Sequence, residues 1–173
     1  MAAIRAIETR YQGCRFRSRL EARWAVLFDA AGLAWEYEPE GYVLSDGTPY
    51  LPDFWLPGLG VWAEVKPRAC TQDEVRRCAM LVAGTSKPCL LLVGMPMGRP
   101  YELLTSAFGA YHRHHDRWEL PPGVGLCDAF LPTFGSGLFV CTTGVTRPAQ
   151  ELAWVATCVD RARSARFEHG EQG

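Results

Sequence analysis

Three charged residues near the middle of the chain have types and a spacing suited to hydrolysis at a metal ion. Asp53 follows Pro52, ten residues separate it from Glu64, and Lys66 stands two positions further on. Side chains alternate between the faces of a strand, so Glu64 and Lys66 share one face. Two carboxylates suit a hard divalent cation such as Mg²⁺ or Mn²⁺. We therefore expect Asp53 and Glu64 to bind a metal that activates water for phosphodiester hydrolysis. We expect Lys66 to orient or deprotonate that water, or to stabilise the phosphate charge.

The segments around these residues have the patterns of helices and strands in the order αβββαβ. Apolar residues recur at helical spacing before Gly32, and Thr71 with Glu74 predicts the capped start of a second helix. Between the two helices, apolar stretches separated by turn residues predict an antiparallel meander. The helices are expected at residues 18–31 and 71–83, and the strands at residues 35–38, 42–44, 50–56, 61–66 and 89–93.

The C-terminal part of the chain carries weaker signals. We expect a helix at residues 101–111, a turn-rich segment with short strands at residues 121–144, and an amphipathic helix at residues 148–166. A chain of 173 residues, 48% of them hydrophobic, has the size and composition of one domain. The prediction is an α/β domain with its core in residues 1–95 and an extension of the same domain in residues 96–173, ending in a helix.

Four short motifs in the first part of the chain together resemble a known superfamily. They are Arg15-Phe16-Arg17-Ser18-Arg19-Leu20-Glu21, Tyr37-Glu38-Pro39, Tyr50-Leu51-Pro52-Asp53-Phe54 and Glu64-Val65-Lys66-Pro67. With their order and spacing, residues 12–95 resemble the PD-(D/E)XK, or restriction-endonuclease-like, nucleases. They are also similar to the endonuclease subunit of cut-and-paste transposases and its short phage and actinobacterial relatives.

The resemblance implies a fold, a reaction and a role for each matching residue. The fold would be an αβββαβ core with a mixed central sheet flanked by helices. The reaction would be Mg²⁺- or Mn²⁺-dependent endonucleolytic cleavage of DNA that leaves 5′-phosphate and 3′-hydroxyl ends. Asp53 and Glu64 would be metal ligands, with the backbone carbonyl of Val65 as a third. Lys66 would be the catalytic lysine, and Glu21 would complete the metal site.

Charge is distributed unevenly along the chain, which bears on nucleic-acid binding. The formal net charge is −1, but residues 1–23 contain six arginines and two glutamates, and the C-terminal helix adds Arg161, Arg163 and Arg166. Affinity for DNA comes largely from cations on phosphates, so this modest charge indicates that a homodimer or a partner protein supplies part of the DNA contact. The candidate contacts to DNA are Arg15, Arg17, Arg19, Arg23 and Gln72.

Structural roles are alternatives for several of these residues. Ser18 and Glu21 also fit a capping box at the start of the first helix. Asp53 and Glu64 could instead form a salt-bridged strand edge with Lys66, and the arginines a solvated surface. Gln72 and Asp73 also suit a helix cap. Glu36, Glu38 and Glu40 could reach the cleft or form a solvated strand face. Trp55 and Trp62 could stack on a base or sugar or pack in the core.

Metal clusters other than the carboxylate site have weak sequence support. Structural zinc sites need tight ligand pairs, and Cys127 and Cys141 are 14 residues apart. An iron–sulfur cluster needs a compact cysteine group, which the spacing of Cys70, Cys78 and Cys89 does not supply. The residues that invite the zinc interpretation, besides the two cysteines, are His112, His114, His115 and Asp116.

The remaining expectations concern compartment and competing functions. No signal-peptide-like or membrane-spanning apolar run is visible, and seven scattered cysteines indicate reduced thiols. We therefore expect a cytoplasmic protein that does not associate with a membrane and binds no small-molecule cofactor. Two other functions remain open. One is a structure-selective resolvase that cuts four-way junctions as a dimer, and the other is a catalytically silent nucleic-acid-binding or assembly module.

Overall fold

The computed structural model describes residues 7–106, 118–131, 139–141 and 149–167, and within them the chain forms an α/β domain. The described helices are α1 (Arg19–Ala30), α2 (Gln72–Thr85) and α3 (Ala149–Ser164). The strands in the first part of the chain are β1 (Thr9–Tyr11), β2 (Cys14–Phe16), β3 (Glu36–Tyr37), β4 (Tyr42–Val43), β5 (Pro49–Tyr50), β6 (Phe54–Leu56) and β7 (Val61–Lys66). The later strands are β8 (Cys89–Val93), β9 (Tyr101–Thr105), β10 (Gly125–Phe130) and β11 (Phe139–Cys141).

A mixed sheet forms the centre of the domain. Among the described residues it has seven strands in the order β11-β10-β9-β8-β7-β6-β3. Strands β7 and β8 are parallel, since α2 carries the chain back across the sheet between them, and the other neighbours are antiparallel. Two separate hairpins, β1-β2 and β4-β5, lie outside this sheet. The coarse α/β class and the mixed sheet are therefore confirmed.

Two apolar clusters cover the faces of the sheet, because side chains alternate along each strand. Ala63 and Val65 of β7 belong to a cluster that contains the buried sides of α1 and α3. Trp62, on the opposite face, belongs to a cluster with the buried side of α2. Helices α1 and α3 thus pack on one face and α2 on the other.

Both predicted helices of the first part of the chain are confirmed, with bounds set by their caps. Ser18 accepts a hydrogen bond from the backbone of Glu21 at the start of α1. Thr71 and Glu74 form the predicted capping box of α2. Gly32, which follows α1, has a φ of 69°, a conformation that favours glycine and ends the helix.

Two strand predictions in the meander are wrong in their extent. Residues 50–56 do not form one strand: β5 and β6 belong to different sheets, and the chain leaves the extended ladder around Pro52, which has no N–H to donate. The strand expected at residues 35–38 ends at Tyr37, because Glu38 has a φ of 47°. The break at Pro52 places Asp53 just before β6.

The helix expected at residues 101–111 is wrong where the structure describes it, because β9 occupies Tyr101–Thr105. Tyr101 and Leu103 join the cluster of α1, while Leu104 joins that of α2. Because β9 is buried on both faces, the apolar residues Leu103 and Leu104 are adjacent, and the alternation that identifies a half-buried strand is missing. Residues 107–111 lie outside the described residues.

The other late expectations are confirmed: short strands occur within residues 121–144 as β10 and β11, and the C-terminal helix is α3. The β1-β2 hairpin was not predicted from the sequence. Gln12 and Gly13 turn it with φ angles of 51° and 75°. Within the described residues, no helix has the length and apolar character needed to cross a membrane.

Candidate active site

The β6-β7 hairpin brings the two central carboxylates together. Phe54 pairs with Ala63, so Asp53 and Glu64 occupy the next opposed positions beyond the ladder. The Asp53 Oδ2 atom accepts a hydrogen bond of 2.7 Å from the backbone N–H of Val65. Both side chains are buried, with 9% of Asp53 and 4% of Glu64 exposed. The predicted pair is therefore a buried feature and not a solvated strand edge.

Burial of this pair leaves negative charge incompletely compensated. Desolvation raises the pKa of Asp53 well above its usual range, and the neighbouring charge of Glu64 raises it further. The Oε2 atom of Glu64 is buried and has no hydrogen-bond partner among the described residues. A buried carboxylate oxygen without a donor is costly, so this position favours a bound cation.

Lys66 compensates part of that charge. Its Nζ donates a hydrogen bond of 2.6 Å to Glu64 Oε1, and only 21% of its side chain is exposed. Burial acts to lower the pKa of Lys66, but the charges of Glu64 and Asp53 outweigh it, and the pKa is raised. Lys66 is therefore an ammonium group here, which suits charge stabilisation better than proton abstraction.

Glu21 lies close to this pair, in the first turn of α1. Its Oε1 accepts a hydrogen bond from the Ser18 hydroxyl at 2.7 Å, and its Oε2 accepts from the Tyr37 hydroxyl at 2.6 Å and from the Arg17 backbone N–H at 3.2 Å. The reciprocal bond of a capping box, to the backbone of Ser18, is replaced by these contacts. The charge of Glu21 also raises the pKa of Asp53.

The described residues contain no group of three His, Cys, Asp or Glu side chains arranged to hold a metal ion. Asp53 and Glu64 are thus a pair, and Glu21 stands beside it with its oxygens engaged by Ser18, Arg17 and Tyr37. Val65 contributes its backbone at the pair, while its own side chain packs in the cluster of α1.

The predicted DNA contacts have different surroundings. Arg17 forms an ion pair of 2.7 Å with Glu38, and its backbone contacts Glu21. Arg15 pairs with Glu8 at the surface. Arg23 packs against the C-terminal segment, with its guanidinium 6.0 Å from the ring centre of Phe167 and 3.4 Å from the carbonyl of Ala165. Arg19 is partly buried at the start of α1.

Gln72 is engaged within the protein. Its side-chain amide donates to the carbonyl of Glu119 at 2.8 Å and accepts from the N–H of Glu119 at 3.1 Å. This paired contact links the start of α2 to the chain before β10. The structure thus gives Gln72 a structural contact, while Asp73 in the same turn is exposed.

Tyr37 was not singled out as functional from the sequence, and Glu38 was considered only as one of three strand glutamates that could reach the cleft. Tyr37 holds Glu21, and burial together with that hydrogen bond raises the pKa of the Tyr37 phenol. Glu38 donates its backbone N–H to the carbonyl of Asp53 at 2.9 Å and has an unusual positive φ. The Tyr37-Glu38-Pro39 motif pointed to this segment, but the residues that Tyr37 and Glu38 contact, Glu21 and Asp53, are 16 and 15 positions away in the sequence.

The cysteines within the described residues form no group that could hold a metal ion. Cys70, Cys78 and Cys89 are free thiols, and Cys78 contacts the Tyr50 hydroxyl at 3.2 Å. Burial and contact with Cys78 raise the pKa of Cys89. The positions of His112, His114, His115 and Asp116 lie outside the described residues.

Comparison with known protein families, with curated proteins and with solved structures gives no match for this chain. What the site does is therefore inferred from its own geometry and chemistry.

Proposed function

We propose that this protein is a divalent-metal-dependent DNA endonuclease that hydrolyses phosphodiester bonds at Asp53, Glu64 and Lys66. The observation that carries this proposal is the buried carboxylate pair, in which Glu64 Oε2 has no hydrogen-bond partner among the described residues. Beside the pair stands a lysine ammonium. Two carboxylates and a cationic donor are what a metal-assisted attack on a phosphate diester requires.

The arrangement of elements supports the same proposal. An N-terminal helix, an antiparallel β6-β7 hairpin, the crossover α2 and the parallel strand β8 follow one another as in the restriction-endonuclease-like core that the motifs resemble. The motif resemblance implies acidic residues on such a hairpin and a lysine at the end of its second strand. The locations of Asp53 just before β6, and of Glu64 and Lys66 on β7, support this assignment.

The residues fit a bound Mg²⁺ or Mn²⁺ ion. Asp53 and Glu64 would hold it, with the Val65 carbonyl as the third ligand that the resemblance implies. Such a metal lowers the pKa of bound water and offsets charge on the phosphate. The Val65 N–H fixes the Asp53 carboxylate, and Lys66 keeps its ammonium beside Glu64, where it can meet a phosphate oxygen.

Glu21 is assigned an outer position in this site. Ser18, Tyr37 and the Arg17 backbone orient its carboxylate, so it adds negative potential toward the metal. Arg15 and Arg17 are exposed, with the Arg17 backbone in contact with Glu21, and are the candidates for phosphate contacts. Because both arginines form ion pairs within the protein, we infer that a second copy or a partner protein contributes to DNA binding.

A cleavage assay with supercoiled plasmid and a four-way junction tests the proposal. Wild type, Asp53→Asn and Lys66→Ala are compared in Mg²⁺, Mn²⁺ and EDTA. Loss of either residue is expected to lower the cleavage rate by about 10²-fold or more, the scale of losing one charge-stabilising or acid–base group. Asp73→Asn and Arg77→Ala, which change exposed charges on α2, are matched controls that should cut like wild type.

The outcomes separate the competing functions. Metal-dependent cutting that is lost in both site variants and kept in both controls supports the proposal. Strong preference for the four-way junction would assign a resolvase. DNA binding that ignores EDTA, without cleavage in any metal, would assign a silent binding module and contradict the proposal.

A further inference from the structure

A cavity of about 650 Å³ opens on the sheet face that carries the carboxylate pair. Its wall is aromatic: Trp55 and Trp62 are opposed across the β6-β7 hairpin with ring centres 4.6 Å apart. The ring of Tyr42 meets Trp62 edge-on at 5.5 Å. Three residues at its rim are exposed and charged: Glu36, Glu40 and Lys87.

The wall of this cavity contains an unused hydrogen-bond donor. Trp62 is only 5% exposed, and its Nε1 is buried without a hydrogen-bond partner among the described residues. Buried indole N–H groups normally have a hydrogen-bond partner. An acceptor on a molecule bound in the cavity would supply the partner that Trp62 Nε1 lacks. Carboxylate acceptors stand at the rim, where Glu40 is oriented by a 3.0 Å hydrogen bond from the Tyr42 hydroxyl.

We propose that this cavity binds an unpaired, amino-bearing nucleobase of the DNA strand. The base stacks on the partly exposed Trp55 ring, its ring nitrogen or carbonyl accepts from Trp62 Nε1 in the cavity wall, and its exocyclic amine donates to a rim carboxylate. A cationic side chain would also suit aromatic rings and carboxylates, but it has no acceptor for the Trp62 donor. Only a group with a flat ring, an acceptor and a donor uses all the features of the cavity.

The position of the cavity connects it to the carboxylate pair. Trp55 lies two residues from Asp53, and Trp62 lies two residues from Glu64, on the same faces of the same strands. Two residues of strand span about 7 Å, which is about two nucleotides of axial rise along one DNA strand. The inference rests on the proposed function for this relation, and it narrows the substrate to DNA with an unpaired base near the cut.

Binding of a single-stranded octanucleotide with one central 2-aminopurine tests the proposal. The full chain is titrated in EDTA, so no cleavage occurs, and 2-aminopurine fluorescence reports stacking directly. An abasic octanucleotide of the same length serves as the reference ligand. We expect quenching and tighter binding of the 2-aminopurine strand than of the abasic strand.

Two variants divide the interaction into stacking and hydrogen bonding. Trp55→Leu should weaken binding of the 2-aminopurine strand by about tenfold or more, the scale of one lost base–aromatic stack. Trp62→Phe keeps a ring and removes the donor, so it should weaken that strand by about 3- to 10-fold and leave abasic binding unchanged. Trp35→Phe is the matched control, since Trp35 lies outside the cavity and its Nε1 donates to Asp29.

Circular dichroism establishes that each variant is folded, and Trp55→Phe replaces Trp55→Leu if the latter is not. The proposal is overturned if both strands bind wild type equally, or if folded cavity variants bind like wild type. Preferential binding of an arginine-rich peptide that Trp55→Leu abolishes would assign a cationic occupant instead. Quenching in EDTA, combined with no cleavage of plasmid or four-way junction in Mg²⁺ or Mn²⁺, would leave the base site standing while the nuclease proposal fails. Cleavage with Mg²⁺ or Mn²⁺ but no quenching in EDTA would mean that the nuclease proposal stands and the base site does not exist.

Discussion

Replacing Asp53 by Asn should stabilise the metal-free protein while it removes metal binding. The buried pair of Asp53 and Glu64 is balanced by one ammonium, that of Lys66, and Glu64 Oε2 has no hydrogen-bond partner among the described residues. Asparagine keeps an oxygen that can accept from the Val65 N–H but carries no charge. The variant therefore leaves one carboxylate opposite one ammonium.

The expected gain follows from the cost of a buried charge that is incompletely paired. Relieving such a group is worth about 1–3 kcal/mol in the free energy of unfolding, and each kcal/mol corresponds to about 2–4 °C in Tm for a domain of this size. The Tm of Asp53→Asn in EDTA at pH 7.5 should thus exceed that of wild type by about 2–12 °C. In wild type, Mg²⁺ at about 100 times its Kd should raise the free energy of unfolding by about 2.7 kcal/mol. Mg²⁺ should stabilise the variant much less, because the variant lacks one metal-binding carboxylate.

Thermal denaturation of wild type and Asp53→Asn, each with EDTA and with Mg²⁺, gives the four Tm values to be compared. Asp73→Asn is the control, because it removes an exposed charge from the first turn of α2. The reasoning is refuted if Asp53→Asn is less stable than wild type in EDTA, or if Mg²⁺ raises the Tm of both proteins equally. The first result would mean that the carboxylate pair is compensated by groups not considered above.

Four further predictions concern pH, the support of the site and the core. The raised pKa of Asp53 means that the folded protein holds this proton more tightly than the unfolded chain, so its stabilising contribution is present at low pH and is lost as pH rises through the folded pKa. Without metal, the Tm advantage of Asp53→Asn should therefore grow with pH, and a constant difference between pH 5 and 8 would contradict this. Tyr37→Phe keeps the ring but frees Glu21, so the Mg²⁺ concentration for half-maximal cleavage should rise about tenfold; an unchanged Mg²⁺ titration would show that Glu21 needs no such support. Gln72→Ala removes two hydrogen bonds to Glu119 and should cost about 1–3 kcal/mol in urea denaturation, with cleavage unaffected in the folded protein, whereas a selective loss of DNA binding would restore Gln72 as a DNA contact. Phe54→Ala, at a fully buried ring, should cost about 3–5 kcal/mol, and a loss below 1 kcal/mol would mean that the core does not depend on this ring.

The parts of the site that could be predicted from the sequence depend on local rules. Glu64 and Lys66 lie on one face because side chains alternate along a strand. Helix α2 is capped by Thr71 because Thr71 and Glu74, three positions apart, form a capping box. The approach of Asp53 to Glu64 followed from the short turn between them. These features need only neighbours in sequence or one hairpin.

The parts that could not be predicted depend on distant contacts. The hydrogen bond between Tyr37 and Glu21 joins residues 16 positions apart, and the one between Arg23 and Ala165 joins residues 142 positions apart. Strand β9 was mistaken for a helix because its burial on both faces erases the alternation that identifies a strand. The sequence contains the residues of these contacts but no period or spacing that links them.

The hydrogen bond from the Val65 N–H makes the Asp53 carboxylate the last acceptor of the β6-β7 ladder. Asp53 stands one position beyond the paired residues, and its side chain takes the amide that a backbone carbonyl would otherwise accept. The orientation of this candidate metal ligand is thereby tied to the main chain and not to the packing of nearby side chains. The amide proton of Val65 accordingly reports on the site itself, since its exchange with solvent requires the end of the hairpin to separate at the point where the chemistry is proposed to occur.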